Sequence, residues 1–157
     1  TFFGKDTLIN PEIYVNEGFN LDGNNPKLNN FDIRKVLVDP TGQQKFYQIE
    51  PESYSPSLQL NIDSLLKLPA RITVDCWLKT DKYAHSNVAI ETENASGEKT
   101  WNGININQQI VDQGEISHIF SYLDLNLPVK KVTVYIWNNG KKPVSLYSMT
   151  VKIIKNI

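Results

Sequence analysis

Residues 71–79 alternate without a break: Ile72, Val74, Cys76 and Leu78 are apolar, while Arg71, Thr73, Asp75, Trp77 and Lys79 stand between them. Side chains of a strand alternate faces with a period of two, so the pattern fits a strand buried on one side. Val132, Val134 and Ile136 repeat it, with Thr133, Tyr135 and Trp137 on the other parity. In both segments the tryptophan falls on the polar face, away from the core. A large ring among polar neighbours offers a ligand apolar area and a hydrogen-bonding edge, with little side-chain entropy to lose. The two segments therefore predict a β protein that carries aromatic rings on an outer sheet face, as a site for a planar or sugar-like ligand requires.

Strand-like segments recur along the chain: 12–18, 34–39, 45–50, 57–62, 71–79, 87–93, 100–109, 115–123, 131–138 and 144–154. Turn clusters separate them. Asp22-Gly23-Asn24-Asn25-Pro26, Pro40-Thr41-Gly42, Ser96-Gly97 and Asn138-Asn139-Gly140 are sequences that reverse a chain, the last by supplying positive φ. Asp63–Leu68 predicts a single helical turn before Pro69, a crossing from one sheet to the other. Helical periodicity is otherwise almost absent, so the expected fold is all-β, an antiparallel β-sandwich of about 8–10 strands. Within it, Ile116–Leu123 is apolar on both parities and should be covered on both faces. Ile104, Ile106 and Ile110 should face inward, which leaves Asn105, Asn107 and Gln109 on an outer face with Trp101.

At 157 residues the chain suits one domain, 1–157, large enough to bury a core without disulfides or metals. Its abrupt start at Thr1 is how either a trimmed chain or a domain excised from a larger protein begins. Sixteen basic against seventeen acidic residues leave no electrostatic footprint for nucleic acid, and no apolar run is long enough to insert into a membrane. The lone cysteine, Cys76, lies on the inward parity and should pack as a small apolar residue. Seventeen Asn and seven Gln describe a turn-rich strand protein of the kind found in extracellular, cell-surface or periplasmic settings.

The run Val132-Thr133-Val134-Tyr135-Ile136-Trp137-Asn138-Asn139-Gly140, followed by Val144–Ile154, resembles the last two strands of galactose-binding-like jelly rolls. That fold is shared by many non-catalytic carbohydrate-binding modules, and the resemblance covers about twenty-five residues at the C-terminus. It implies two packed antiparallel sheets opening with a strand like Glu12–Phe19. It also implies a structural calcium between the first strand and an acidic residue near the start of the last. Here that stretch reads Leu146-Tyr147-Ser148-Met149 and holds no carboxylate, so no cofactor is expected; Glu12 and Glu17 could serve only a different calcium site.

Catalytic patterns are lacking. Glu91 and Glu93 share one strand face, whereas a glycosidase pair flanks a cleft at roughly 5–10 Å, so both read as solvated face residues. His85 and His118 stand in unrelated segments, without the spacing of a metal site. The expected function is a non-catalytic carbohydrate-binding module. Trp77, Tyr135 and Trp137 would be stacking platforms on one sheet, Asn105, Asn107 and Gln109 would bond hydroxyls, and Trp101, beside Asn102-Gly103, would either join them or serve as an edge anchor. The alternative is a structural or protein-interaction domain of a larger surface or membrane-associated protein, in which long connections such as 19–33 or 80–86 cover that face. The expected partners are a glycan and other domains of a parent protein.

Overall fold

A computed structural model describes residues 12–19, 21–40, 42–62, 66–80, 85–110 and 115–156. Its strands are β1 (Ile13–Gly18), β2 (Leu28–Asn29), β3 (Val36–Val38), β4 (Lys45–Ile49), β5 (Ser53–Tyr54), β6 (Ser57–Asn61), β7 (Ala70–Lys79), β8 (Ser86–Glu93), β9 (Lys99–Asn105), β10 (Ser117–Leu125), β11 (Lys131–Asn138) and β12 (Val144–Lys155). All pairings are antiparallel. They build two sheets: β10-β7-β12-β4-β3, with β1 also on β12, and β2-β6-β11-β8-β9, with β5 also on β11.

The alternation of the sequence sets the packing between them. Ile72, Val74, Cys76 and Leu78 of β7 meet Leu58 and Leu60 of β6, Val88 and Ile90 of β8 and Val132, Val134 and Ile136 of β11 in one fully buried cluster. Each such side chain contributes about 1.5–3 kcal/mol on leaving water. Burial pushes the Cys76 thiol well above its ordinary range, with Asp75 adding a smaller effect, so it stays protonated and inert. Tyr47 sits at one margin of the core against Phe19 and Phe31, at centroid separations of 6.0 and 5.7 Å.

Departures from the sequence expectation have local causes. The segment 34–39 opens as a 3₁₀ turn over Ile33–Lys35, because the Asp32 carboxylate caps the Arg34 N–H at 3.0 Å; only Val36–Val38 pair. The segment 100–109 ends its strand at Asn105, whose Oδ1 accepts the Asn107 N–H at 2.8 Å and starts a 3₁₀ turn over Asn107–Gln109. Strand β10 is not covered on both faces: Phe120 and Tyr122 stand exposed on its outer parity. Asn138-Asn139-Gly140 is no positive-φ turn; the left-handed residues are Asn30, Gln43, Glu52, His85, Gly23 and Gly97 among those described. Asn138 is instead fully buried, its amide tied to backbone carbonyls. The helical turn expected over Asp63–Leu68 falls partly, and the Thr41 position of the Pro40–Gly42 turn wholly, outside the described residues.

Exposed ion pairs span neighbouring segments. Lys27 holds the Glu17 carboxyl below the usual range, as Lys130 does for Glu93 and Arg71 for Asp124. A carboxyl whose pKa is lower folded than unfolded stabilises the fold above its unfolded pKa, about 4, and loses that contribution as pH falls through the folded value. The urea midpoint is therefore expected to hold above about pH 5 and to drop below about pH 4. The drop should be modest, since solvent screens such pairs. A midpoint unchanged down to about pH 2 would show that they contribute nothing.

Candidate functional site

Strand register aligns the outer side chains of the second sheet in rows across β6, β11, β8 and β9. One row is Gln59, Thr133, Glu91 and Trp101; the next holds Tyr135, Ala89 and Gly103; a third runs Tyr54, Trp137, Asn87 and Asn105, with Tyr54 supplied by the short β5. The middle row is made of small residues beside Tyr135, and rings from both sides lean over it. A Cβ built on Gly103 would lie 2.2 Å from Cη2 of Trp101, so only glycine lets the indole lie flat across the strand.

Four rings close together there. Tyr54 stacks on Trp137 at 6.2 Å and 17° and meets Tyr135 edge-on at 5.5 Å, while Trp101 meets Trp137 edge-on at 5.7 Å. The Trp101 indole Nε1–H donates to the Tyr135 hydroxyl at 3.1 Å. Burial raises the Tyr135 phenol above its ordinary pKa against the pull of the Trp101 bond, and the charge and hydrogen bond of Glu91 raise it further. Tyr135 and Trp137 are half-buried by these contacts; Trp101 and Tyr54 keep 47% and 57% of their surface exposed and present it outward. Of the connections thought able to cover this face, 19–33 borders its trough through Asn30 and Asp32 without burying Trp101 or Tyr54, and 80–86 lies largely outside the described residues.

The rings line an open pocket of about 250 Å³. A larger trough of about 530 Å³ shares Tyr54 and Tyr135 with it and runs on past Ser57, Gln59, Thr133 and Glu91. Asn30, Asp32 and Lys35 also line the trough, so aromatic walls meet both neutral and charged hydrogen-bonding groups along one groove. Glu93, next on β8, is engaged by Lys130 at 3.2 Å and by Lys99 at 3.9 Å, which leaves Glu91 as the carboxylate facing the trough from this strand.

The structure divides the residues expected to act together. Tyr135, Trp137 and Trp101 meet, and Asn105 lies at the margin of their face. Trp77 does not join them: β7 belongs to the other sheet, so its outward parity points to the opposite side of the sandwich. Asn107 and Gln109 leave the face with the 3₁₀ turn, and Gln109 Oε1 accepts the Phe120 N–H at 2.8 Å, capping the outer edge of β10. Sequence reasoning missed Tyr54. Its strand is two residues long, too short for periodicity, and the Ser55-Pro56 step after it was the one available sign of an edge position.

A structural calcium finds no fitting donor set in the stretch implied by the resemblance. Glu17 is bonded to Lys27 Nζ at 2.5 Å and to Asn25 Nδ2 at 3.3 Å, and Leu146–Met149 supplies no carboxylate. Among the described residues no group of three or more His, Cys, Asp or Glu side chains could hold a metal, and no helix is long and apolar enough to cross a membrane.

Gly103→Ala is expected to push the Trp101 ring off the strand and break its bond to Tyr135. Near-ultraviolet circular dichroism from the coupled rings should fall, while stability changes by less than about 1 kcal/mol because the buried core is untouched. An unaltered aromatic spectrum would show that the ring does not depend on the glycine.

No protein-family model matches the chain, and no curated protein matches it. Solved structures do. The CBM22-1–GH10 modules of Clostridium thermocellum endo-1,4-β-D-xylanase 10B, complexed with xylohexaose, superpose with a TM-score of 0.59 at 12% identity, covering 94% of this chain and 29% of that one. This chain therefore spans less than a third of that neighbour. The C-terminal family 22 carbohydrate-binding module of the same xylanase gives 0.54 at 11% identity, covering 92% and 96% of the two chains. The CBM22-1 xylan-binding domain of Paenibacillus barcinonensis Xyn10C gives 0.50 at 12% identity, covering 94% and 97%. At such identities the likeness defines the fold: this is the antiparallel jelly-roll sandwich that carbohydrate-binding modules use.

Proposed function

We propose that the protein is a non-catalytic carbohydrate-binding module that takes a neutral polysaccharide chain along the groove of the second sheet. Trp101 and Tyr54 are the stacking platforms, Trp137 and Tyr135 hold them in place, and Gln59, Thr133 and Glu91 bond sugar hydroxyls. The observation that carries this reading is the gathering of four rings on an outer sheet face beside a polar trough, with about half of two rings left exposed. Rigid exposed rings add nothing to the core and suit the apolar faces of pyranoses. Xylan is the first candidate, since the structural neighbours include xylan-binding modules. Binding per site is weak, because an open groove buries little ligand and leaves its polar groups partly solvated. The module acts at a cell surface, in the periplasm or outside the cell, as one domain of a larger protein.

A glycan microarray probed with the purified domain tests the reading. Selective retention on xylan or another neutral polysaccharide is expected. A blank array would overturn it in favour of a structural or protein-binding domain.

A further inference from the structure

We propose that the outer face of the first sheet carries a second saccharide site, centred on Trp77 and Tyr147, so that one molecule holds two separate glycan chains. The inference rests on the carbohydrate reading of the opposite face and extends it.

Trp77 takes the outward parity of β7, directly across from His118 of β10. The two rings stack at 4.6 Å and 17°, and His118 Nε2 lies 2.8 Å from Asp75 Oδ1, so the indole is braced on one side while 48% of Trp77 stays exposed. On its other neighbour, β12, the register slips between Leu146 and Ser148. A bulge of this kind sets two successive residues where alternation would give one, and it re-aims side chains beside binding sites. Here it brings both Tyr147 and Ser148 to the lining of a cavity of about 550 Å³, which Trp77, Leu21, Ile116 and Gln44 also border.

Tyr147 is fixed independently of any ligand. Its hydroxyl donates to Asp39 Oδ2 at 3.0 Å and its ring packs on Phe46 at 5.5 Å; burial, with Asp39 behind it, pushes the phenol up to about 12. Both rings are therefore held in position before a ligand arrives, which is what lowers the entropy cost of binding. The cavity matches the trough of the second sheet in volume and falls within the range of small-molecule sites.

Its chemistry selects the occupant. Aromatic and aliphatic walls face the C–H surfaces of a sugar ring, and the Gln44 amide and Ser148 hydroxyl offer both donors and acceptors to its hydroxyls. Among the described residues Lys45 is the single charged one on the lining, and no carboxylate borders it. Phe120 carries the apolar surface further along β10, where a longer chain would continue, up to Tyr122, whose ring the Arg71 guanidinium covers at 4.2 Å. The two sheets face opposite ways, so a short oligosaccharide cannot reach both sites; they take different chains.

The three tryptophans make the test direct, because each indole N–H gives one signal in a ¹H–¹⁵N spectrum of the labelled protein. With signals assigned from single Trp→Phe variants, xylohexaose and cellohexaose are titrated in turn, and calorimetry counts bound molecules. Expected are a saturable shift of Trp77 that survives in Trp101→Ala/Trp137→Ala, a stoichiometry of two, and a fall to one in either Trp77→Ala or that double variant. Shifts of Trp101 and Trp137 with Trp77 unmoved and a stoichiometry of one would overturn the second site and leave the first standing. A shift of Trp77 alone would overturn the reading of the first face. Three unmoved indoles with both sugars would overturn both.

Discussion

The Trp101→Ala/Trp137→Ala variant is expected to lose xylohexaose binding by roughly 100-fold or more at the second sheet, two tenfold steps of about 1.4 kcal/mol each. Trp101 presents the outward stacking surface and Trp137 fixes its neighbours, through an edge contact with Trp101 at 5.7 Å and a stack with Tyr54 at 6.2 Å. Removing both takes away a platform and frees the Tyr54 ring that remains. Both residues sit on an outer face, so the core is preserved and circular dichroism in the far ultraviolet should not change. Calorimetry in a Trp77→Ala background reads this face alone. Affinity retained within about threefold, a change of under about 1 kcal/mol, would show that the rings are not the platform.

Asn138→Ala is expected to cost about 3 kcal/mol of folding stability. Nothing of this side chain reaches solvent. Its Nδ2 donates to the carbonyls of Ile49, Glu50 and Lys142 at 3.1, 3.2 and 2.8 Å, and its Oδ1 accepts the Gly140 N–H at 3.1 Å. One amide thus ties the end of β4, in the first sheet, to the end of β11 in the second and to the turn that leads into β12. Alanine removes those bonds and leaves buried polar backbone groups unpaired, which is the costly side of hydrogen-bond energetics. For a chain of this length the loss corresponds to a fall in melting temperature of roughly 6–12 °C. The adjacent Asn139→Ala, at an exposed position, should change stability by less than about 0.5 kcal/mol. Equal effects for the two variants would refute the clamp.

The alternation of β7 and β11 made their inner and outer faces legible at once, because it is a property of consecutive residues and depends on no partner. The same is true of Ser57–Asn61, where Leu58 and Leu60 face the core as their parity requires. It was not true of Ile116–Leu123. Apolar residues on both parities do not say that both faces are covered: Phe120 and Tyr122 stay about half exposed on the outer one, where the Arg71 guanidinium lies 4.2 Å from the Tyr122 ring centre. Asn105, Asn107 and Gln109 show the other limit: extrapolating a period of two past Asn105 fails once its own carboxamide caps the following turn.

By itself the sequence determined the strand content, the spacing of turns, the side of each long strand that enters the core and the presence of rings on outer faces. All of these follow from interactions within a few residues. Only the tertiary structure decided which strands are neighbours, and hence that Trp101 and Trp137 share a face with Tyr54 while Trp77, with the same parity signature, lies on the opposite one. Pairing partners are chosen by contacts between segments far apart in the chain, such as Asn138 with Ile49 or Trp137 with Tyr54, whose free energy depends on the whole core being assembled. No local pattern of residues encodes that choice.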